Sequence, residues 1–403
     1  MRALHLKLEN IAEIRQKKLA DPNYKPMVYD MVTLEEIPEV KLINENWVKV
    51  KVKIGAICGS DLHILTLNTS DSLFNFCSFP TVMGHEFVGE IVEKGKMVKE
   101  VSNGDRVIVE PTLPCEVREI EPCAVCKEDK YNLCSNLDKG IISPGLLTGL
   151  CKDLGGGWGE YAVAHKSRVF KLPDSISFEE AVIIEPLSCS IHAVLKKLPK
   201  DNESCVVVGC GTIGLTTILA LKALSNSKVI AIAKYPYQSE IAKKLGADKV
   251  LLAKKDTHIK KIGRELGCKI LSPPGEDALL VGGGADVVID SVGNASSLSN
   301  SIRIVSYQGT VILLGAPANM EIDWTPLLYK EAKIIPSWTY GYDELNGIKQ
   351  RTFQIALDLV SSGSVNVKEI LTHTYPIDQY QEALMVTSNK RENNVIKAAF
   401  KFE

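Results

Sequence analysis

The amino-acid sequence predicts an α/β protein with a β-rich first domain and a doubly wound parallel sheet in a second domain. Runs such as WVKVKVKIGA alternate apolar and polar residues and are bounded by Gly, Asn or Pro, which is typical of antiparallel strands. Near residue 203 the pattern becomes an apolar strand, a glycine turn and an apolar-faced helix. Strand and helix pairs then alternate, and this alternation predicts a parallel sheet from roughly 195 to 340.

The chain is predicted to divide into residues 1–194, 195–340 and 341–403. The last part is expected to be helical and to return to the first domain, and residues 255–276 are interpreted as an insertion. TVILLGAP is a candidate edge strand. The strands and helices predicted from the pattern, in chain order, are VYDMVTLEEI, NWVKVKVKIGAI, FVGEIVEKG, DRVIVE, SCVVV, GTIGLTTILALKAL, KVIAIA, YQSEIAKKLGA, DVVIDSVG, ASSLSNSIRIV, TVILLGAP, TFQIALDLVSSG and DQYQEALMVTSN.

Composition favours a small-molecule partner. The 47 basic and 49 acidic side chains nearly cancel, so no global field is expected to recruit nucleic acid or a membrane surface. The start MRALHLKLENIAEIRQKK has no long apolar core, and we expect a cytoplasmic protein. In such a chain the eleven cysteines are better interpreted as metal ligands or buried thiols than as disulfides.

A glycine-rich turn predicts a dinucleotide site. Gly209, Gly211 and Gly214 form G-x-G-x-x-G directly after the strand SCVVV and at the start of a helix. The backbone of such a turn can approach a pyrophosphate, and the helix amino terminus offers N–H groups and a positive dipole end. The alternative is a tight turn between packed elements. The predicted cofactor-binding residues are Gly209, Gly211, Thr212, Ile213, Gly214, Lys234, Val292 and Leu314.

The end of the second strand of this domain bears on the cofactor. An acid ordinarily stands there to bind the adenosine ribose, but KVIAIA ends in Ala233 and is followed by Lys234. The missing carboxylate and the lysine favour NADP over NAD. Alternatively, Lys234 is a solvated residue at a strand end and nearby loops bind the ribose.

Four cysteines lie within one polar loop at about 111–136. Four thiolates can enclose a tetrahedral zinc with no open position, so this pattern predicts one structural zinc. The wide gap between the first two cysteines weakens the pattern, and the alternative is a set of surface thiols without a metal. The predicted ligands are Cys115, Cys123, Cys126 and Cys134.

A dispersed set of residues suits a second zinc with catalytic character. Cys58 ends a strand, His85 and Glu86 follow a glycine, and Glu185 lies before the nucleotide domain. A thiolate, an imidazole and a carboxylate can hold zinc and leave a position for water or a substrate oxygen. Each residue alone has a simpler interpretation as a buried thiol, a satisfied histidine or a solvated charge.

Nine motifs together resemble the zinc-dependent medium-chain dehydrogenases that act on alcohols, polyols, sugars and threonine. The resemblance covers nearly the whole chain. It departs from the family in a longer amino-terminal segment, the widened cysteine loop and the absent acid at Ala233. The motifs, in order, are CGSDLH, GHEFVGEIVEKG, GDRV, the cysteine loop, GGGWGEYAV, EPLSCSIHA, VVVGCGTIGL, AKKLGAD and VIDSVGN.

This resemblance implies a GroES-like β-rich catalytic domain made from both termini, a Rossmann domain between them, and a reaction in the cleft between the two. It also implies a homodimer or homotetramer. Cys58 and His85 would hold the catalytic zinc, and Glu86 or Glu185 would complete the shell directly or through water. Glutamate in EPLS resembles the polyol, sugar and threonine branches.

The resemblance further implies that zinc polarises a substrate hydroxyl towards an alkoxide while hydride passes to NAD(P). Asp61 would orient His85, Ser60 would accept the hydroxyl proton, and His63 would pass that proton on. Asp61 is otherwise a turn residue, and His63 is otherwise an exposed loop histidine. Other functions left open are a simple secondary alcohol dehydrogenase and a non-catalytic nucleotide-binding redox sensor or structural subunit.

Overall fold

The computed structural model describes residues 1–21, 23–254, 257–272, 274, 277–317 and 319–403. The chain forms two compact units, of which the first joins Met1–Glu185 to Leu371–Glu403 and the second is Pro186–Ile370. The units therefore change at 185/186 and 370/371, and the predicted domain limits at 194/195 and 340/341 stay predictions. No helix in the described residues is both long enough and apolar enough to cross a bilayer.

The strands and helices are numbered in chain order. The strands are β1 Arg2–Leu6, β2 Val32–Glu36, β3 Trp47–Ala56, β4 Thr81–Val82, β5 Glu86–Lys94, β6 Arg106–Val109, β7 Tyr161–His165, β8 Val169–Lys171, β9 Ser204–Val208, β10 Lys228–Ala233, β11 Lys249–Leu252, β12 Lys269–Leu271, β13 Leu279–Val281, β14 Ala285–Asp290, β15 Val305–Leu313, β16 Lys333–Pro336, β17 Tyr342–Leu345, β18 Ile348–Arg351, β19 Leu371–Tyr375 and β20 Lys397–Lys401. The helices are α1 Leu8–Ala20, α2 Gly59–Leu65, α3 Ala124–Lys127, α4 Phe178–Ala181, α5 Ile184–Lys196, α6 Thr212–Leu224, α7 Pro236–Lys244, α8 Thr257–Glu265, α9 Ala295–Ile304, α10 Thr325–Tyr329, α11 Thr352–Ser361, α12 Tyr380–Ser388 and α13 Lys390–Asn393, with 3₁₀ turns at Asp71–Phe76, Tyr131–Leu133, Lys166–Arg168 and Ile377–Gln379.

The first unit is built around the long strand β3. Its valines are buried while the lysines between them are half-buried, which is the period-two pattern of a strand with one buried face. One edge of β3 pairs antiparallel with β5, and the other edge pairs with β7 and β20. Because β20 is supplied by the last residues of the chain, the carboxyl terminus completes a sheet that the first part of the chain begins.

The second unit contains a six-stranded sheet in the order β11-β10-β9-β14-β15-β16, and all its neighbouring strands are parallel. Every residue of β9 is buried, as expected for a central strand of a parallel sheet with both faces covered. The predicted α/β class and the doubly wound sheet are confirmed. From β9 the chain adds strands first towards one edge of the sheet and then, from β14 on, towards the other edge, so the strand order reverses between β9 and β14.

The expectation that TVILLGAP forms an edge strand is wrong. Its residues belong to β15 and the turn after it, and β15 lies between β14 and β16. The edge strand on this side of the sheet is β16, a four-residue run that ends in Pro336. Its shortness hides it in the sequence pattern, although a proline suits an edge strand because it cannot donate to a further neighbour.

The interpreted insertion at 255–276 contributes helix α8 and strand β12. That strand pairs antiparallel with β13, apart from the six-stranded sheet. Lys255, Asp256, Pro273, Gly275 and Glu276 lie outside the described residues.

Residues 341–370 belong to the second unit. The Asp343 carboxylate lies 2.6 Å from Nδ1 of His192 in helix α5 and accepts a 2.6 Å hydrogen bond from the Thr352 hydroxyl. These buried contacts bind the β17–β18 hairpin to the second unit, so the chain returns to the first unit only from Leu371 onward.

Candidate metal centres and dinucleotide site

Strand pairing brings together three of the predicted ligands of the catalytic zinc. The last residue of β3, Ala56, pairs with Glu86 at the start of β5, so the end of one strand meets the beginning of the other. Cys58 follows β3 as the N-cap of α2, and His85 immediately precedes β5. One potential ligand atom from each of Cys58, His85 and Glu86 lies within 4.8 Å of the others.

Asp61 fixes two of these residues at once. One carboxylate oxygen lies 3.2 Å from Nδ1 of His85, and the other accepts the backbone N–H of Cys58 at 2.9 Å. A carboxylate on one imidazole nitrogen leaves Nε2 available for a metal and sets the direction of the ring. Asp61 is 1% exposed, so its orientation is set by these contacts and not by solvent.

The electrostatics of the cluster favour a cation. Burial alone would lower the pKa of His85, but the Asp61 carboxylate and the Cys58 thiol group raise it well above its ordinary value. The same negative surroundings that retain a proton on the ring attract a divalent ion. Binding of a metal to the ring requires loss of that proton, since only neutral imidazole is a ligand.

Glu86 forms a buried ion pair that the sequence did not predict. The Lys397 ammonium donates to Oε1 at 2.6 Å and also contacts Oε2. Burial opposes the charge of Lys397, but Glu86 and then Cys58 raise the pKa of this ammonium above its ordinary value. A carboxylate has about four lone-pair sites, so Glu86 can accept from Lys397 and still offer a metal an oxygen.

Glu185 lies at the start of α5 and is 5% exposed. Its charge acts on Lys397, but among the described residues it is outside the 4.8 Å set of ligand atoms. A second ammonium, that of Lys390, interacts with Cys58 and Lys397. Four acidic side chains, those of Cys58, Asp61, Glu86 and Glu185, thus accompany two lysines, and this surplus of acidic groups suits a divalent cation such as zinc.

Helix α2 also carries the other two predicted catalytic residues. Ser60 lies in its first turn and is half-buried, and His63 lies in its last turn and is exposed. Burial of part of the ring and the Lys390 ammonium lower the pKa of His63. A neutral imidazole in contact with solvent can accept a proton and release it.

The second cysteine set lies in the loop after β6. Cys123 caps α3, Cys126 lies within that helix, and Cys134 ends a 3₁₀ turn. One sulfur from each of Cys115, Cys123, Cys126 and Cys134 lies within 4.8 Å of the others.

The sulfur geometry suits a tetrahedral zinc. The distances from Sγ of Cys134 to those of Cys115 and Cys123 are 3.5 and 4.0 Å, close to the sulfur–sulfur edge of about 3.8 Å that Zn–S bonds of about 2.3 Å imply. Backbone N–H groups of Cys123 and Asn136 point at two of the sulfurs, and such donors stabilise thiolates. None of the eleven cysteines, all within the described residues, forms a disulfide.

Two buried arginines hold this loop, and neither role was predicted from the sequence. The Arg118 guanidinium donates to the carbonyl oxygens of Leu113 at 2.9 Å, Lys139 at 2.8 Å and Gly145 at 2.8 Å. Arg168 donates to Glu110 at 2.7 Å and lies 4.6 Å from the Tyr131 ring. The loop therefore has fixed attachments to the sheet besides its cysteines.

The glycine turn adopts the conformation that a dinucleotide site requires. Gly209 follows β9 with φ +93°, a region that favours glycine. A Cβ at Gly214 would lie 1.9 Å from the carbonyl oxygen of Gly209, so the turn and the first turn of α6 can only be this close because position 214 has no side chain. Gly211 is the N-cap of α6, and Thr212 and Ile213 form its first turn.

The other predicted cofactor residues lie at the same edge of the parallel sheet. Val292 follows β14 and Leu314 follows β15, at the carboxyl ends of strands next to β9 and β14. A Cβ at Gly209 would lie 2.4 Å from Cγ2 of Val292, and the Ser291 hydroxyl donates to the Gly209 carbonyl at 3.1 Å. Ligands of doubly wound sheets bind where the strand order reverses, which here is between β9 and β14.

Lys234 follows the neighbouring strand β10 and is exposed. Its ammonium lies 5.4 Å from the Tyr235 ring, which stacks on Tyr237 at 5.8 Å between centroids. The preceding residue, at the end of this strand, is Ala233, which is fully buried. Its side chain is apolar, so the strand does not end in an acidic group.

Both units match known protein families. Residues 44–174 match the alcohol dehydrogenase GroES-like domain, and residues 212–362 match the zinc-binding dehydrogenase domain. The chain is 31% identical to L-idonate 5-dehydrogenase of Vitis vinifera over 88% of its length and 87% of that relative. It is 30% identical to sorbitol dehydrogenase of Bacillus subtilis (strain 168) over 88% of its length and 89% of that relative. The crystal structure of 2R,3R-butanediol dehydrogenase from Bacillus subtilis aligns with a TM-score of 0.74 and 26% identity, covering 100% of this chain and 99% of that one.

Proposed function

Because the chain belongs to the zinc-dependent medium-chain dehydrogenase family, we propose that it transfers hydride between a polyol or sugar hydroxyl and a nicotinamide cofactor. The observation that carries this proposal is the convergence of Cys58, His85 and Glu86 within 4.8 Å. That donor set suits zinc with an open position for substrate. A non-catalytic nucleotide-binding protein has no need of such a set.

The chain's own residues would prepare the reacting hydroxyl. A zinc ion held there supplies a Lewis acid that favours loss of the alcohol proton. Asp61 keeps Cys58 and His85 in place through its contacts at 2.9 and 3.2 Å. Ser60 accepts the hydroxyl proton, and His63 passes it to solvent, consistent with its lowered pKa and exposed ring.

We take Glu86 as the third ligand of this zinc. Its carboxylate belongs to the close set, whereas Glu185 does not, and Lys397 offsets part of its charge. Glu185 would then act through a water. The Cys115, Cys123, Cys126 and Cys134 set would hold a second, structural zinc that leaves no position for substrate.

For the cofactor we propose NADP in preference to NAD. Support comes from the exposed ammonium of Lys234 and from the apolar Ala233 where an acid would repel a ribose phosphate. The stacked rings of Tyr235 and Tyr237 hold the segment that begins with Lys234.

A polyhydroxylated substrate is preferred because two relatives are named for such compounds, sorbitol, which is a polyol, and L-idonate, which is a sugar acid. The related structure is a butanediol dehydrogenase, which keeps a short secondary alcohol as the second candidate.

We also propose a homodimer or homotetramer, with β16 as the edge strand at the subunit interface in place of TVILLGAP. Large apolar or aromatic side chains lie exposed on and beside α10, which precedes that strand. They are Trp324, Leu328, Tyr329 and Tyr307.

Absorbance of the reduced nicotinamide tests the activity directly. Zinc-replete protein is offered NADP or NAD with polyols, aldoses, threonine and short secondary alcohols. We expect the highest kcat/KM with a polyol. Failure of every alcohol to reduce either cofactor would contradict the proposal.

A further inference from the structure

Residues 7–21 and 23–31 belong to an excursion between β1 and β2 that the family resemblance does not account for. Strand β1 pairs antiparallel with β2, and Leu6 at the end of β1 lies opposite Val32 at the start of β2. The chain therefore leaves the sheet and returns to the neighbouring position, and the intervening residues include the thirteen-residue helix α1. An insertion at this place can be added without changing the sheet.

The excursion shares an apolar core with helix α2. Ile11 and Ile14 of α1 are 2% and 3% exposed, and they share one apolar core with Ile64 and Leu65 of α2. Asn10 donates to the Met31 carbonyl at 2.9 Å, which closes the excursion on itself. Helix α1 is thus a fixed part of the first unit.

Helix α2 needs support from outside because it has only seven residues. Isolated helices of this length are unstable in water, so the ends must be held by other groups. At its amino terminus the Asp61 carboxylate accepts the Cys58 N–H at 2.9 Å. At its carboxyl terminus the Lys18 ammonium donates to the carbonyl oxygen of Thr66 at 2.9 Å, where a positive charge also complements the helix dipole.

A second contact from α1 holds the segment that follows α2. The Arg15 guanidinium lies 5.0 Å from the centre of the Phe74 ring, and Phe74 contacts Phe79 with ring centres 6.3 Å apart. Helix α1 therefore contacts the chain at Thr66, where α2 ends, and again at Phe74 in the segment that follows.

We propose that Lys18 is a positioning residue that fixes α2 and thereby keeps Cys58 ready to bind zinc and Asp61 in place to orient His85. The helix spans about 10 Å, so a shift at one end displaces the thiol at the other. This inference rests on the proposed zinc site at Cys58. The inference gives a role to the excursion between β1 and β2, which contains none of the proposed catalytic residues.

The test replaces Lys18 with methionine, which keeps the length of the side chain and removes the donor. Two quantities are measured: hydrogen exchange of the α2 backbone and the rate of zinc transfer to a chelator. The phase of zinc release that is absent in Cys58→Ser is assigned to the site at Cys58, and its rate is the one compared. We expect K18M to accelerate both by about tenfold or more, the effect of losing one hydrogen bond from a charged donor. Exchange in the cysteine loop should stay unchanged.

Lys17→Met is the matched control, because Lys17 lies next in α1 and its ammonium pairs with Glu13 at 2.7 Å. Lys18→Arg retains a charged donor and should restore wild-type exchange and release. Wild-type behaviour of K18M, or an equal effect of K17M, would overturn the inference. If the wild-type protein bound no zinc that depends on Cys58, the proposed function would be overturned instead. Hydrogen exchange of the α2 backbone would still decide whether Lys18 holds the helix.

Discussion

At the scale of the residue, the proposed zinc site depends both on contacts between residues that are close in the sequence and on contacts between residues that are far apart in it. Asp61 is three positions from Cys58; its contact with His85 was predicted from the family resemblance, whereas its hydrogen bond with the Cys58 N–H was not. Lys397 could not be predicted, because its ion pair with Glu86 joins positions 311 residues apart. No local pattern in the run NNVIK at residues 393–397 marks Lys397 as buried, and only the pairing of β20 with β3 brings it to the site.

Cys58→Ser should abolish turnover and remove one zinc per chain while leaving the fold intact. A serine hydroxyl is a poor zinc ligand, and Cys58 is a half-buried N-cap where serine is favoured. Metal analysis, melting temperature and kcat measure the three effects. Cys77→Ser is the control, since Cys77 belongs to neither cysteine set; a fully active Cys58 variant would refute the ligand assignment.

Lys234→Ala should lower the ratio of kcat/KM for NADP to that for NAD by about tenfold, the effect of losing one charge-assisted hydrogen bond to a phosphate. The comparison uses steady-state rates with one alcohol and both cofactors. Lys228→Ala is the control because it lies at the opposite end of the same strand and pairs with Glu265 at 2.7 Å. A large NAD preference of the wild-type protein would contradict the NADP proposal.

At the scale of the element, the sequence pattern pointed to the four cysteines that the structure brings together, but not to the contacts that anchor their loop. Four cysteines in a polar loop indicate a metal, but the carbonyl oxygens that Arg118 binds carry no signal in side-chain identity. The glycine turn was predictable because Gly209 has a positive φ and a side chain at Gly214 would collide with the backbone of Gly209. Strand β16 was missed because four residues ending in proline give too short a pattern.

Cys123→Ser should release the structural zinc and lower the melting temperature by roughly 5–10 °C, equivalent to a few kcal/mol for a domain of this size. The cost is limited because Arg118 and Arg168 still attach the loop. Native mass spectrometry gives the zinc count and calorimetry the melting temperature. An unchanged count and temperature would show that these thiols hold no structural metal.

At the scale of the whole molecule, the alternation of strands and helices was sufficient to predict the α/β class and the parallel sheet. The point at which the chain returns to the first unit could not be predicted in this way, because residues 341–370 and the last segment both contain helices. Their assignment depends on tertiary contacts, such as that of Asp343 with His192 and the pairing of β20 with β3.

The proposed homo-oligomer predicts a light-scattering mass of two or four chains. Leu328→Lys should shift this mass towards that of one chain, because it puts a charge on a side chain that is 80% exposed beside the proposed interface. Leu19→Lys is the control, since Leu19 is 84% exposed but lies in the first unit. A monomeric wild-type protein, or equal effects of the two substitutions, would contradict the interface.

Anomalous diffraction at the zinc absorption edge, from crystals of zinc-replete protein, tests the central claim most directly. We predict one peak at about 2.3 Å from Sγ of Cys58 and about 2.0–2.1 Å from a ring nitrogen of His85, and a second peak among the four loop cysteines. Absence of a peak between Cys58 and His85 would contradict the proposed catalytic zinc, whatever the cysteine loop binds.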